Sequence, residues 1–185
     1  MAGLPEEQVY QNDAELEMLR AWYGYNSYVR KKYLAALEKL PADELTKIRG
    51  ASYPSVLDIF VHVLDSYRAW FKFRCRGKEW DNDLRLSGRI TSIAEARREE
   101  QEVDAYVLDL VDRMRPEDLR RKIQFPDHGR ILVDVQRDIL WHMVEEELQH
   151  RGELNALLWQ AGAEPPITDW LVWKIETGQP GPAIL

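Results

Sequence analysis

The strongest constraint on this chain is a helical spacing of apolar residues that repeats over four long stretches. In the first, from about Asn12 to Leu40, Leu16, Leu19, Trp22, Tyr23, Tyr33, Leu37 and Leu40 recur at three- and four-residue steps. That is the period at which side chains share one face of an α-helix. Pro41 closes this stretch. The second opens at Ser52-Tyr53-Pro54, a composition suited to a helix start. It runs through Val56, Ile59, Val63, Trp70 and Phe73 and stops near Gly77. The third spans about Ser92 to Arg115, with Ile93, Ala96, Val103, Val107, Leu110 and Met114 inward and Pro116 as its stop. The fourth runs from about Ile131 to Gln160 and is ended by Gly162 and Pro165-Pro166. Between the last two, Phe125-Pro126-Asp127-His128-Gly129 reads as a loop or small extended turn. No alternating strand pattern and no solenoid period is visible.

Long helices joined by connections of roughly ten to twenty residues predict an all-α four-helix bundle. An aromatic tail, Ile167 to Trp173, is expected to pack across the bundle end. At 185 residues the chain fits one domain, 1–185, with residues 1–11 and 176–185 expected as flexible ends. The net charge of −7 argues against binding nucleic acid, which needs clustered Lys and Arg on one face. No apolar run approaches the roughly 20 residues of a membrane span, and the first residues lack the features of a signal peptide. A single cysteine, Cys75, excludes an internal disulfide and suits a reducing cytoplasm, so a cytoplasmic protein is expected.

Chemistry is sought where polar residues fall on faces that should be apolar. Glu146 shares a face of the fourth helix with Val135, Ile139, Met143, Leu157 and Ala161, and His150 lies one turn further along. A carboxylate facing a core without a partner costs several kcal/mol, so it should neutralise or find a cation. On the second helix, His62 shares a face with Ser55, Ile59, Ser66, Ala69 and Phe73. One ligand from one helix and an i,i+4 pair from another is a common way to build a metal site in a bundle. Three protein ligands leave room for water or substrate, as in catalytic zinc. The spacing also admits plainer readings. Glu146 could belong to the solvated run Glu145-Glu146-Glu147 with His150 hydrogen-bonded to it, and His62 could be a satisfied core histidine.

Residues Glu146 to Leu154, Glu-Glu-Leu-Gln-His-Arg-Gly-Glu-Leu, resemble the closing signature of the DinB-like family, His-x-x-His-His-Arg-Gly-Gln and an apolar residue. Leu57 to Trp70 resembles that family's second-helix signature, an apolar turn, a His and a Trp eight residues on. Tyr25-Asn26, Leu40-Pro41, and Gly162 to Pro166 followed by Asp169 and Trp173 match in order. The resemblance implies a four-helix bundle that binds a divalent metal, often nickel or zinc, through His62, Glu146 and His150. Glu146 stands where the family usually has His, and a two-His-one-carboxylate set also suits Fe or Mn.

His142, one turn before Glu146, is an alternative or additional ligand, a residue that orients a water, or a partly exposed histidine. If Glu146 is a ligand, His142 is the leading candidate for a catalytic base. Asn26 falls on the inner face of the first helix and needs a partner, which the site would supply. Tyr23 reads as core with a phenol in reach, Glu145 and Glu147 as solvated, and Arg151 as the partner of a neighbouring acid. His128 reads as a surface residue and Cys75 as packing. The resemblance implies a metal-dependent hydrolase or thiol-dependent transferase acting on a small molecule through a metal-activated water or thiolate. The other readings are a non-catalytic metal-binding stress-response protein and a structural bundle with a metal-free polar cluster. Homodimers are common among proteins resembling this family, so a homodimer is an expectation.

Overall fold

The computed structural model describes residues 6–180, with side chains from Asp13 onward. Four long helices form the body: α1 (Glu6–Leu37), α3 (Val56–Tyr67), α4 (Ile93–Arg113) and α5 (Gln136–Gln160). Two short helices, α2 (Ala42–Thr46) and α6 (Trp170–Thr177), lie in the connections and the tail. A hairpin of β1 (Lys122–Asp127) and β2 (Arg130–Val135) precedes α5. Helices α1 and α3 each pack against both α4 and α5, so the core lies between all four. The stretches 1–11 and 176–185, expected as flexible ends, lie partly outside the described residues. Within them, α1 begins at Glu6 and α6 runs to Thr177.

The helix starts follow capping chemistry. Ser55 Oγ accepts from the Asp58 N–H at the head of α3, and Ser92 Oγ accepts from the Glu95 N–H at the head of α4. The α1 stripe buries Leu16, Leu19, Tyr23, Tyr33 and Leu37 against α3 residues Ile59, Phe60, Val63 and Leu64 in one core cluster. The aromatic tail docks on α1. Trp22 and Tyr25 meet Trp170 at ring-centroid distances of 4.7 and 5.0 Å, and Tyr25 meets Trp173 at 5.6 Å.

Two expectations are corrected. The fourth helix begins at Gln136 and not at Ile131, because residues 130–135 are β2. The segment read as a loop or turn is an antiparallel hairpin pairing Asp127 with Arg130 and Lys122 with Val135. His128 and Gly129 both take positive φ, 48° and 75°. That is the backbone of a two-residue type I′ turn, whose twist matches that of the flanking strands. Only Ile123 and Phe125 of β1 turn inward, onto Ile139.

Beyond Tyr67, α3 widens into a π turn, Arg68–Phe73, and then a 3-10 turn ending at Gly77 in the left-handed region. In a continuous α-helix Arg74, twelve residues after His62, would sit about 120° around the axis. The wider turn rotates less per residue and keeps Trp70 and Arg74 on the His62 side.

Candidate metal centre

Helices α3 and α5 bring three side chains together. His62 lies two turns into α3, while Glu146 and His150 are one turn apart in mid-α5. Their ligand atoms lie within 4.8 Å of one another, and the group could hold a metal ion. Glu146 Oε1 is the meeting point. His62 Nε2 is 3.1 Å from it, His150 Nε2 3.5 Å, and Ser66 Oγ donates to it at 3.1 Å. Ligands about 2.0–2.1 Å from a tetrahedral ion lie about 3.3 Å apart, so these separations suit a shared ion. His150 is buried, and His62 and Glu146 are half-buried.

Further groups fix the two rings. Tyr53, just before α3, stacks on His62 with centroids 4.0 Å apart and planes 21° apart. It also meets His150 edge-on at 5.9 Å. Neither Nδ1 has a hydrogen-bond partner among the described residues, although both are buried. Glu153 Oε1 is 3.8 Å from His150 Nδ1, one small rotation from the carboxylate–histidine contact that orients metal-ligating imidazoles. Ser52 Oγ donates to the other Glu153 oxygen.

Within the cluster Glu146 and His150 each favour the other's charged form. Contacts from His150 and then His62 hold the Glu146 carboxyl well below the usual carboxylate range, against the effect of burial. Glu146 in turn raises the His150 imidazole against burial, helped by Glu153 and Glu145.

His62 and Glu146 line a cavity of about 450 Å³ together with Asp65, Ser66, Trp70, Arg74, Trp80, Arg85, His128 and His142, among others, while His150 lies outside its lining. A larger cleft, about 640 Å³, beside Cys75, Tyr106 and Arg121 contains no member of the triad. His142 stands at the mouth. It is 44% exposed, its ring meets Trp70 edge-on at 5.2 Å, and it is not one of the three clustered groups. His128 is exposed, as read, yet the hairpin turn carries it to the same mouth. Tyr23 is core, its hydroxyl donating to the Leu140 carbonyl at 3.0 Å. Cys75 packs beside Ile123, Phe125 and Ile139, and burial pushes its thiol up to about 11. Glu145 is exposed, as read.

Glu147 is not solvated. It is 2% exposed and lies at the centre of a charged network. Arg30 Nη1 donates to it at 2.7 Å, Tyr67 Oη at 2.7 Å and Arg151 Nη2 at 3.0 Å. Arg30 also binds Asp104 of α4. Asn26 finds its partners here and not at the triad, accepting from Arg151 at 2.6 Å and donating to Tyr67 Oη at 3.2 Å. All four long helices thus meet at one buried set of charges. The sequence held a signal for it: Arg30 falls on the stripe Leu19, Tyr23, Asn26, Tyr33, Leu37.

The DinB family model matches residues 11–180, nearly the whole chain. The chain belongs to the DinB family. "Protein DinB" of Bacillus subtilis (strain 168) is 28% identical over 162 residues, covering 84% of this chain and 92% of that protein. A crystal structure of a DinB-like protein from Bacillus cereus ATCC 10987 superposes with a TM-score of 0.56 at 16% identity. It covers 78% of this chain and 91% of that one, and at such identity it speaks for the fold alone. Within this DinB-family chain the His-Arg-Gly segment serves both centres, His150 in the triad and Arg151 in the Glu147 network.

Proposed function

We propose that His62, Glu146 and His150 hold a divalent metal ion on a four-helix-bundle scaffold, and that the cavity above them is a catalytic site for a small molecule. The observation that carries this is the convergence of two imidazole Nε2 atoms on one carboxylate oxygen, with His62 and Glu146 lining a cavity. Zn or Ni fits the two imidazoles, and the carboxylate also admits Fe or Mn. The chemistry such an ion supplies is Lewis acidity, which lowers the pKa of a water or thiol and polarises a substrate oxygen. Hydrolysis or thiol-dependent transfer is the reaction type proposed. Ser66 and Tyr53 hold Glu146 and His62 in place. His142, exposed at the mouth and free of the triad, is placed to take or give a proton there. A homodimer in the cytoplasm completes the proposal.

Elemental analysis of the untagged protein tests it. About one Zn or Ni per chain is expected, lost in His62→Ala while the helical spectrum is kept. Metal well below one per chain, not restored by added Zn or Ni, sinks the reading. A second reading has its own support: Glu146 and His150 each favour the other's charged form. It makes the trio a polar cluster in a non-catalytic protein. Metal-loaded protein that turns over esters, amides or thiol acceptors, and loses that activity in His150→Ala, excludes it.

A further inference from the structure

Two arginines line the cavity of a molecule that is acidic overall. The chain carries −7 overall, yet Arg74, Arg85, His128 and His142 all face this cavity. Of the carboxylates near them, Glu145 lies 4.0 Å from His142 and Asp127 pairs with Arg74 at 3.0 Å. Asp65 is consumed by Arg68 and by the N–H groups of Leu86 and Ser87. Glu146 belongs to the triad. Arg85 is left over. Its guanidinium makes a single hydrogen bond among the described residues, a long one of 3.4 Å to Asn82 Oδ1.

Arg85 is nevertheless held in place by its backbone. The next two residues are pinned to Asp65, Leu84 O accepts from Arg68 at 3.1 Å, and the Gly88 N–H donates to Asp58 at 2.9 Å. A loop tied at four points to α3 and the π turn thus presents a guanidinium with one long hydrogen bond to the cavity that His62 and Glu146 line. Arg85 also acts electrostatically on Tyr53, the residue stacked on His62. The π turn delivers Trp70 to the same cavity, its ring carrying the Arg74 guanidinium 4.8 Å above it. Widened helical turns of this kind are frequent at functional sites. The volume, about 450 Å³, is that of a small-molecule site.

We propose that this cavity binds a small molecule bearing an oxyanion, a carboxylate or a phosphate, which Arg85 anchors while the apolar or flat remainder lies against Trp70 and Trp80. A guanidinium fork matches both oxyanions in two-pronged geometry. The inference deepens the proposed function by naming its substrate class. It depends on the metal reading only for what happens to the anchored molecule next.

Calorimetric titration with benzoate, phenylphosphonate and neutral benzamide tests it, on metal-free and Zn-treated protein. Both oxyanions, or whichever of them is the better match, should bind roughly tenfold or more tightly than benzamide, as charge-assisted hydrogen bonds do. Arg85→Gln should abolish that preference and Arg85→Lys should restore part of it. Zn stoichiometry should stay unchanged, since Arg85 is exposed and is no ligand. The relative strength of the two acids tells carboxylate from phosphate. Equal binding of benzamide, no detectable oxyanion binding, or a preference that survives Arg85→Gln overturns the proposal. A protein that takes up no Zn but keeps an Arg85-dependent oxyanion preference overturns the metal reading alone.

Discussion

Arg30 and Glu147 are ions held almost wholly out of water, and each is tolerable only because the other is there. Their side chains are each 3% exposed and 2.7 Å apart, with Tyr67, Asn26, Arg151 and Asp104 completing the shell. Removing one member of such a pair strands the other, a loss of about 3–5 kcal/mol. Glu147→Gln should therefore lower the urea midpoint sharply, and a loss under about 1 kcal/mol would show the network to be marginal. Glu100 behaves oppositely. It is buried one turn from Asp104, one of its oxygens has no hydrogen-bond partner among the described residues, and burial followed by the Asp104 charge pushes its carboxyl up to about 7. Burial opposes ionisation of Asp104 too, but Arg30, Lys31 and Ser27 outweigh it and bring that carboxyl down to about 2. A raised folded pKa gives stability that is full below the usual value of 4.5 and is lost as pH rises through about 7. Glu100→Gln, whose amide needs no proton to stay neutral, should gain roughly 1–3 kcal/mol over wild type at pH 8.5. Urea titrations at pH 8.5 and pH 4.5 check this, with the gain vanishing at the lower pH.

Among the elements, α3 depends on its cap. Ser55 is fully buried, accepts from the Asp58 N–H and donates to the Asp58 carboxylate at 2.6 Å. Ser55→Ala should cost about 1–2 kcal/mol and weaken metal uptake, because α3 carries His62. An unchanged unfolding curve would mean that tertiary packing alone sets the start of α3. The helical periodicity was readable because α1, α4 and α5 bury one side each, and Pro41, Ser92 and Pro116 mark their limits. The hairpin was not readable. Ile131, Leu132 and Val133 of β2 are all exposed, so no alternation betrays a strand, and the same run passes for the first turn of a helix. Glu147 was misplaced for a related reason. Helix α5 buries a broad arc that includes Leu140, Met143, Val144, His150, Arg151 and Leu154, wider than the single stripe through Glu146. A charge on the second stripe therefore looked solvated. His62, Glu146 and His150 could be found because each interrupts an apolar face at helical spacing. Tyr53 and Ser66, which brace them, are ordinary residues whose role only the packing of α3 on α5 reveals.

Across the whole molecule, the buried charged centre and the triad adjoin each other along α5, at Arg151 and His150. His150 and Arg151 are neighbours, so the Glu147 network fixes the rotation of α5 that aims His150 at His62. Loading the triad should stabilise the entire domain, because an ion bound only by the folded state adds about 2.7 kcal/mol at a hundredfold excess over Kd. For a domain this size that is roughly 5–10 °C in Tm. Differential scanning calorimetry should record the rise in wild type and none in His62→Ala, and equal rises in both would assign the ion to another place. The most direct test of the metal centre is anomalous diffraction from crystals grown with one equivalent of Zn, collected at the zinc edge. The account predicts one strong peak within about 2.0–2.2 Å of His62 Nε2, a Glu146 oxygen and His150 Nε2. A map with no peak there, or with its peak on His142 or on the surface, would contradict it.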